Sequence, residues 1–145
     1  MNSFQLCQKI AEDLQVPYAL LASLAEASSP YFVESLCYYE KGNEGKAFSY
    51  CPDVAPCFVV YEKGEYRSQG NLMKAFPNDR AIQKMKLQFY CGVRIDDEKG
   101  RPLGHLAIFD VCDHRISPQD LRPFEKEARE IFESGKLGDG VDLNQ

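Results

Sequence analysis

Residues 100–110 read GRPLGHLAIFD. In an extended chain Leu103, His105, Ala107 and Phe109 fall on one side and Gly104, Leu106 and Ile108 on the other. Both sides are mostly apolar, which predicts a central strand covered on both faces. The preceding stretch, FYCGVRIDDEK (89–99), has the same character: Phe89, Cys91, Val93 and Ile95 alternate with Tyr90, Gly92 and Arg94. DDEKGRP (96–102) is a polar turn carrying Gly and Pro. The two runs therefore fold back on one another as the middle pair of a sheet.

Working outward, Ser117 and Asp120 form an S-x-x-D capping pattern, with Pro118 at the first helical position and Ile116 and Leu121 spaced as a hydrophobic staple. The helix that follows presents Leu121, Phe124, Ala128, Ile131 and Phe132 on one side and is expected to end at Gly135. The tail 136–145 has no periodicity and is expected to be flexible. At the other end, Phe4, Cys7, Ala11 and Leu14, widened by Ile10, predict a helix over 3–15 capped by Asn2 or Ser3. PYALLASLAEA (17–27) reads as a strand between Pro17 and the SSP turn at 28–30. Strands over 31–42 and 45–50 flank a KGNEG turn.

The middle, 51–87, is less regular. DVAPCFVVYEKG (53–64) has a helical pattern with Asp53 as cap, Pro56 in the first turn and Gly64 as stop, although Val59 and Val60 also suit a strand. GEYRSQG (64–70) reads as an edge strand, NLMKAF (71–76) as a helical turn broken by Pro77, and 78–86 as a helix capped by Asn78. Strands in runs, with helices at either end, describe an α+β domain built on an antiparallel sheet. The terminal helices are expected on one face and the irregular middle on the other, in a single domain over 1–135.

Composition narrows the function. The chain has 145 residues, 44% hydrophobic and 27% charged, with a formal net charge of −5. Its 17 basic residues are scattered, so the concentrated positive footprint of a nucleic-acid binder is missing. YALLA (18–22) and CFVVY (57–61) are too short to span a bilayer, and MNSFQLCQKI does not read as a secretory signal. A cytoplasmic location is expected, with the six cysteines reduced. No CxxC pair occurs, so the cysteine spacings give no zinc or thioredoxin-type pattern.

The ordered motifs resemble a GAF domain. The resemblance is carried by FYCGVRIDDEKGRPLGHLAIFDVCDHRISPQDLRPFEKEA (89–128), and by DVAPCFVVYEKG and KAFPNDRAI, which are similar to the segments covering the pocket in a bacterial subset of that family. It implies a GAF-like sheet of about six strands flanked by helices. It also implies a regulatory or sensory role: a small-molecule ligand held between sheet and roof, a signal passed through the terminal helices, and a homodimer. The Cys-His dipeptide of bilin-binding relatives and the NKFDE-type set of cyclic-nucleotide binders are both missing.

Phe48, Tyr50, Phe58, Tyr61, Tyr66 and Phe76 concentrate in the roofing segment, where they either line a pocket or fill the core. For a pocket, Cys57, Tyr61, Phe76, Cys91 and His105 are the expected wall. Cys51, Cys57, Cys91 and Cys112 raise the alternative of a cysteine-dependent redox enzyme similar to free methionine-R-sulfoxide reductase, although the cysteine-bearing segment of those enzymes is not reproduced. Of these, Cys57 lies near a predicted helix start, where a thiol pKa can fall; the plain reading is a small buried hydrophobe. His114 is expected to be exposed, and Asp96, Asp97 and Glu98 to be solvated turn charges. A third alternative is a degenerate module whose only role is dimerisation. The expectation is a non-enzyme, with no catalytic residue, metal or cofactor assigned.

Overall fold

Helix α1 (Ser3–Leu14) begins at a capping box in which Asn2 Oδ1 accepts from the Gln5 amide at 2.8 Å and Gln5 Oε1 accepts from the Asn2 amide at 2.9 Å. It stops where Gln15 turns left-handed at φ 57°, two residues before Pro17. The computed structural model describes residues 1–25, 32–46, 49–50 and 52–143, with residues from 135 onward described by backbone alone. The turn predicted at 28–30, Phe48 and Cys51 lie outside the described residues.

Strands β1 (Tyr18–Ala25), β2 (Phe32–Glu40), β3 (Asn43–Glu44), β4 (Ser49–Tyr50), β5 (Glu65–Arg67), β6 (Phe89–Asp96) and β7 (Pro102–Asp110) form one antiparallel sheet. Six lie side by side in the order β3-β2-β1-β7-β6-β5, and β4 pairs along β2. The β6–β7 hairpin thus occupies the interior of the sheet, as its two-sided apolar pattern requires. Gly100 takes the left-handed turn position at φ 79°. Asp97 Oδ1 accepts from the amides of Lys99 (2.8 Å) and Arg101 (2.9 Å), and those contacts, with the Arg101 guanidinium, hold its carboxyl below the usual range. Asp96 pairs with Arg94 at 2.9 Å. Between Leu21 and Ala22 the β1–β2 register skips Leu36, which is left exposed as the extra residue of a bulge.

On one face the sheet carries α1 and α6 (Glu125–Leu143), which is led in by α5 (Pro118–Leu121) and a 3₁₀ turn over Arg122–Phe124. Leu6, Cys7, Ile10, Leu21, Phe89, Val93, Leu106, Ile108, Leu121, Ala128 and Phe132 form the core there. The Ser117–Asp120 capping box is present, and Leu121 is buried. A Cβ on Gly104 would meet the Ala22 carbonyl oxygen and the Phe132 ring, so glycine at 104 is what lets α6 lie against β7.

The opposite face is roofed by a 3₁₀ turn (Pro52–Val54) and by α2 (Pro56–Lys63), α3 (Leu72–Ala75) and α4 (Arg80–Met85). The helical reading of 53–64 holds, but the cap is Ala55, because Asp53 belongs to the preceding 3₁₀ turn. Likewise α4 is capped by Asp79, whose Oδ1 accepts from the Ile82 amide at 3.1 Å, and not by Asn78. Helix α6 continues past Gly135 to Leu143. A helical glycine costs about 1 kcal/mol but leaves the hydrogen-bond ladder intact, so it does not force an end. Among the described residues no helix is long and apolar enough to cross a membrane.

Candidate functional site

The roof face of the sheet is paved with aromatic rings. Tyr38 of β2, Tyr18 of β1, Phe109 of β7 and Tyr90 of β6 lie nearly parallel across four strands. Ring centroids are 6.3 Å apart for Tyr18–Tyr38, 5.4 Å for Tyr18–Phe109, 6.0 Å for Tyr38–Phe109 and 6.5 Å for Tyr90–Phe109. Strand register produces this: Tyr18 is opposite Phe109, and Phe109 is opposite Tyr90. Beyond Tyr90 the strand continues into Gly92, where a Cβ would meet the Tyr90 ring and Val60 of α2. The missing side chain lets α2 descend onto the sheet beside the aromatic strip.

Under α2 there is a buried polar group. Tyr61 Oη and His105 Nδ1 are hydrogen-bonded at 2.6 Å, with the rings edge to face at 5.1 Å. The Tyr61 carbonyl accepts from Arg94 Nη1 at 2.6 Å, which ties α2 to β6. His105 is fully buried, and burial pulls its pKa down to about 3, so the imidazole is neutral. Two buried polar atoms on this face have no partner among the described residues: His105 Nε2 and the Tyr90 hydroxyl. Burial also raises the Tyr90 phenol well above its ordinary value, so the hydroxyl stays protonated.

A cavity of about 390 Å³ opens between the strip and the roof. Its floor is Leu20, Tyr90 and Phe109; its walls are Val54–Cys57 at the start of α2 and Asn78–Ile82 with Leu87 around α4. The lining is mainly apolar. The polar side chains of the lining are those of Asn78, Asp79 and Arg80 near the α4 start. Desolvation raises the Asp79 carboxyl above its usual value, against the lowering effect of the amides it caps. Volume and lining suit a small, largely apolar molecule.

No family model matches the chain, and no curated relative matches it. Solved structures do. The GAF domain region of a protein named as a membrane protein of Geobacter sulfurreducens PCA superposes with a TM-score of 0.62 at 13% identity, over 92% of this chain and 89% of that one. The domain of a protein named as a two-component sensor histidine kinase of Sinorhizobium meliloti 1021 gives a TM-score of 0.60 at 13% identity, over 98% and 94%. The fold is that of a GAF domain.

Within this GAF-like domain the five expected wall residues separate into four places. Cys57 lines the cavity. Tyr61 and His105 form the buried pair beside it, under α2. Phe76 packs edge-on against Tyr66 at 5.8 Å, toward the β5 margin. Cys91 lies on the other face of the sheet, in the core shared with α1 and α6, where burial pushes its thiol up to about 12. The floor and far wall of the cavity (Leu20, Ala55, Asp79, Leu87, Tyr90 and Phe109) are residues the sequence reading did not select. The alternation of Tyr90 against Cys91, and of Phe109 against Ile108, was a visible signal for the floor.

Proposed function

We propose that this GAF-like domain is a sensory module that holds a small, largely apolar molecule over its aromatic strip and reports occupancy through α1 and α6. The observation that carries the reading is the cavity of about 390 Å³ floored by the stacked rings of Tyr90 and Phe109. An open cavity of this size also argues against a module with a filled interior. The likeness to the sensor kinase domain agrees with the proposed role.

The test is a thermal-shift screen of small aromatic and aliphatic compounds, with Ala81→Trp as the blocking variant. Ala81 is exposed and borders the cavity, so a larger side chain there narrows the mouth without entering the core. A true ligand raises the wild-type midpoint; at about 100 times its Kd the gain is ~2.7 kcal/mol. Ala81→Trp should abolish that gain. A library that shifts neither protein, or both equally, would count against the reading.

One observation favours a rival. Cys57 occupies the first turn of α2 and faces the cavity. A thiol-redox enzyme on the same fold would need it as a thiolate. The pH dependence of alkylation, compared between wild type and Cys57→Ser, decides: an inflection well below pH 8 that vanishes in the variant supports the enzyme.

A further inference from the structure

Strand β7 ends at Asp110, and the link that follows brings three different metal-ligand chemistries to one point. Asp110 Oδ2, Cys112 Sγ and His114 Nε2 lie within 4.8 Å of one another. His114 Nε2 is 2.5 Å from Asp110 Oδ2, and Cys112 Sγ donates to the same oxygen at 3.4 Å. The other carboxylate oxygen, Oδ1, accepts from the Val111 amide at 2.6 Å, which fixes the carboxylate's orientation. The link itself is held from outside. Arg67 of β5 donates from Nε to the Ile116 carbonyl at 2.7 Å and from Nη2 to the His114 carbonyl, and the His114 ring rests against Phe89 at 5.2 Å. Asp110 is 6% exposed, whereas Cys112 is open to water.

We infer that Asp110, Cys112 and His114 form a site for one divalent ion of the zinc class. A thiolate with an imidazole selects zinc or cobalt over magnesium or calcium, which take all-oxygen shells. Three protein ligands with a fourth side open to solvent is the arrangement of an accessible zinc site. With zinc–ligand bonds of about 2.0–2.3 Å, tetrahedral donors stand roughly 3.3–3.6 Å apart. The Cys112–Asp110 separation already meets that spacing, and the His114–Asp110 separation must open by about an ångström to reach it. In the ion-free state the protons on Cys112 and His114 take the place of the metal, each directed at Asp110 Oδ2. On binding, Cys112 gives its thiol proton to solvent and His114 Nε2 gives up its proton as well, so that the coordinated imidazole is neutral with its one ring proton on Nδ1. The nearby Arg67 charge is compensated by the two carbonyls and by Asp113, 4.0 Å away. The site lies outside the cavity and does not depend on the sensory reading.

The test uses the full chain, reduced and stripped with a chelator, titrated with Co²⁺ alone. One equivalent should bind with a thiolate-to-cobalt charge-transfer band in the near ultraviolet, and added Zn²⁺ should displace it. Cys112→Ser, at an exposed position, should lose that band while keeping the wild-type circular dichroism. His114→Gln should bind at least about tenfold more weakly. A wild-type protein without the band, a band that survives in Cys112→Ser, or unchanged affinity in His114→Gln would each overturn the assignment.

Discussion

At the scale of a single residue, Tyr90 does three things at once. Its ring is part of the cavity floor, its edge covers Gly92, and its hydroxyl is buried with no partner among the described residues. An unpaired buried hydroxyl costs about 1–3 kcal/mol. Tyr90→Phe keeps the ring and removes the cost, so the empty protein should gain stability, read as a higher urea midpoint with an unchanged m-value. His105 gives a second test. Its ordinary pKa of 6.5 falls to about 3 on folding, so the unfolded chain binds the proton more readily. The contribution of the neutral imidazole is complete above pH 6.5 and is lost as pH falls from there toward 3, with a limiting slope of ~1.4 kcal/mol per pH unit. Urea titrations at pH 7, 6, 5 and 4 should show this decline in the wild type and a flatter profile in His105→Gln.

At the scale of elements, the contact between β7 and α6 turns on Gly104. A methyl group there would meet a backbone carbonyl, which has little freedom to yield, as well as the Phe132 ring. Gly104→Ala should therefore cost at least about 2 kcal/mol in denaturant unfolding. Asn2→Ala, which removes one half of the α1 capping box, should cost only ~1 kcal/mol. The elements themselves were largely legible. Two-sided alternation identified the β6–β7 pair, S-x-x-D with Pro118 identified the α5 start, and Pro56 with Gly64 bracketed α2. Caps were less legible, since Asp53, Ala55, Asn78 and Asp79 differ in role only by a residue or two of backbone geometry. The cavity was the least legible part. Whether Cys91 shares a face with His105 depends on the hairpin register: the Asp96–Pro102 pairing continued unbroken would set Val93 opposite His105, on Cys91's face, but the ladder skips Leu103 and sets Arg94 there instead. A shift of one residue would reverse that assignment, and a polar turn sequence does not specify it. The Asp110, Cys112 and His114 cluster was hidden for another reason: a search for paired cysteines passes over a set with one thiol and mixed donors.

For the whole molecule, the terminal helices matter most. Helix α6 passes Phe132, its last residue described as buried, and runs on to Leu143. We expect that extension to pair with its copy in a homodimer, so that sedimentation equilibrium should return twice the 16.5 kDa chain mass. Truncation after Ser134 should return the single mass with the same sheet signature in circular dichroism. The 145-residue chain sedimenting as a single mass would rule the dimer out. The margins of the sheet have a different consequence. The outermost strands are β3, two residues long, and β5, three residues long, and beside β5 the Arg67 side chain reaches across to the link after β7. An incoming extended chain would find only a few free amides and carbonyls to copy at either border. Among the described residues the long strands β1, β6 and β7 lie inside the sheet and β2 is paired at both ends of its outer edge, which leaves little for an added strand to copy, and solutions of this protein should remain clear at high concentration.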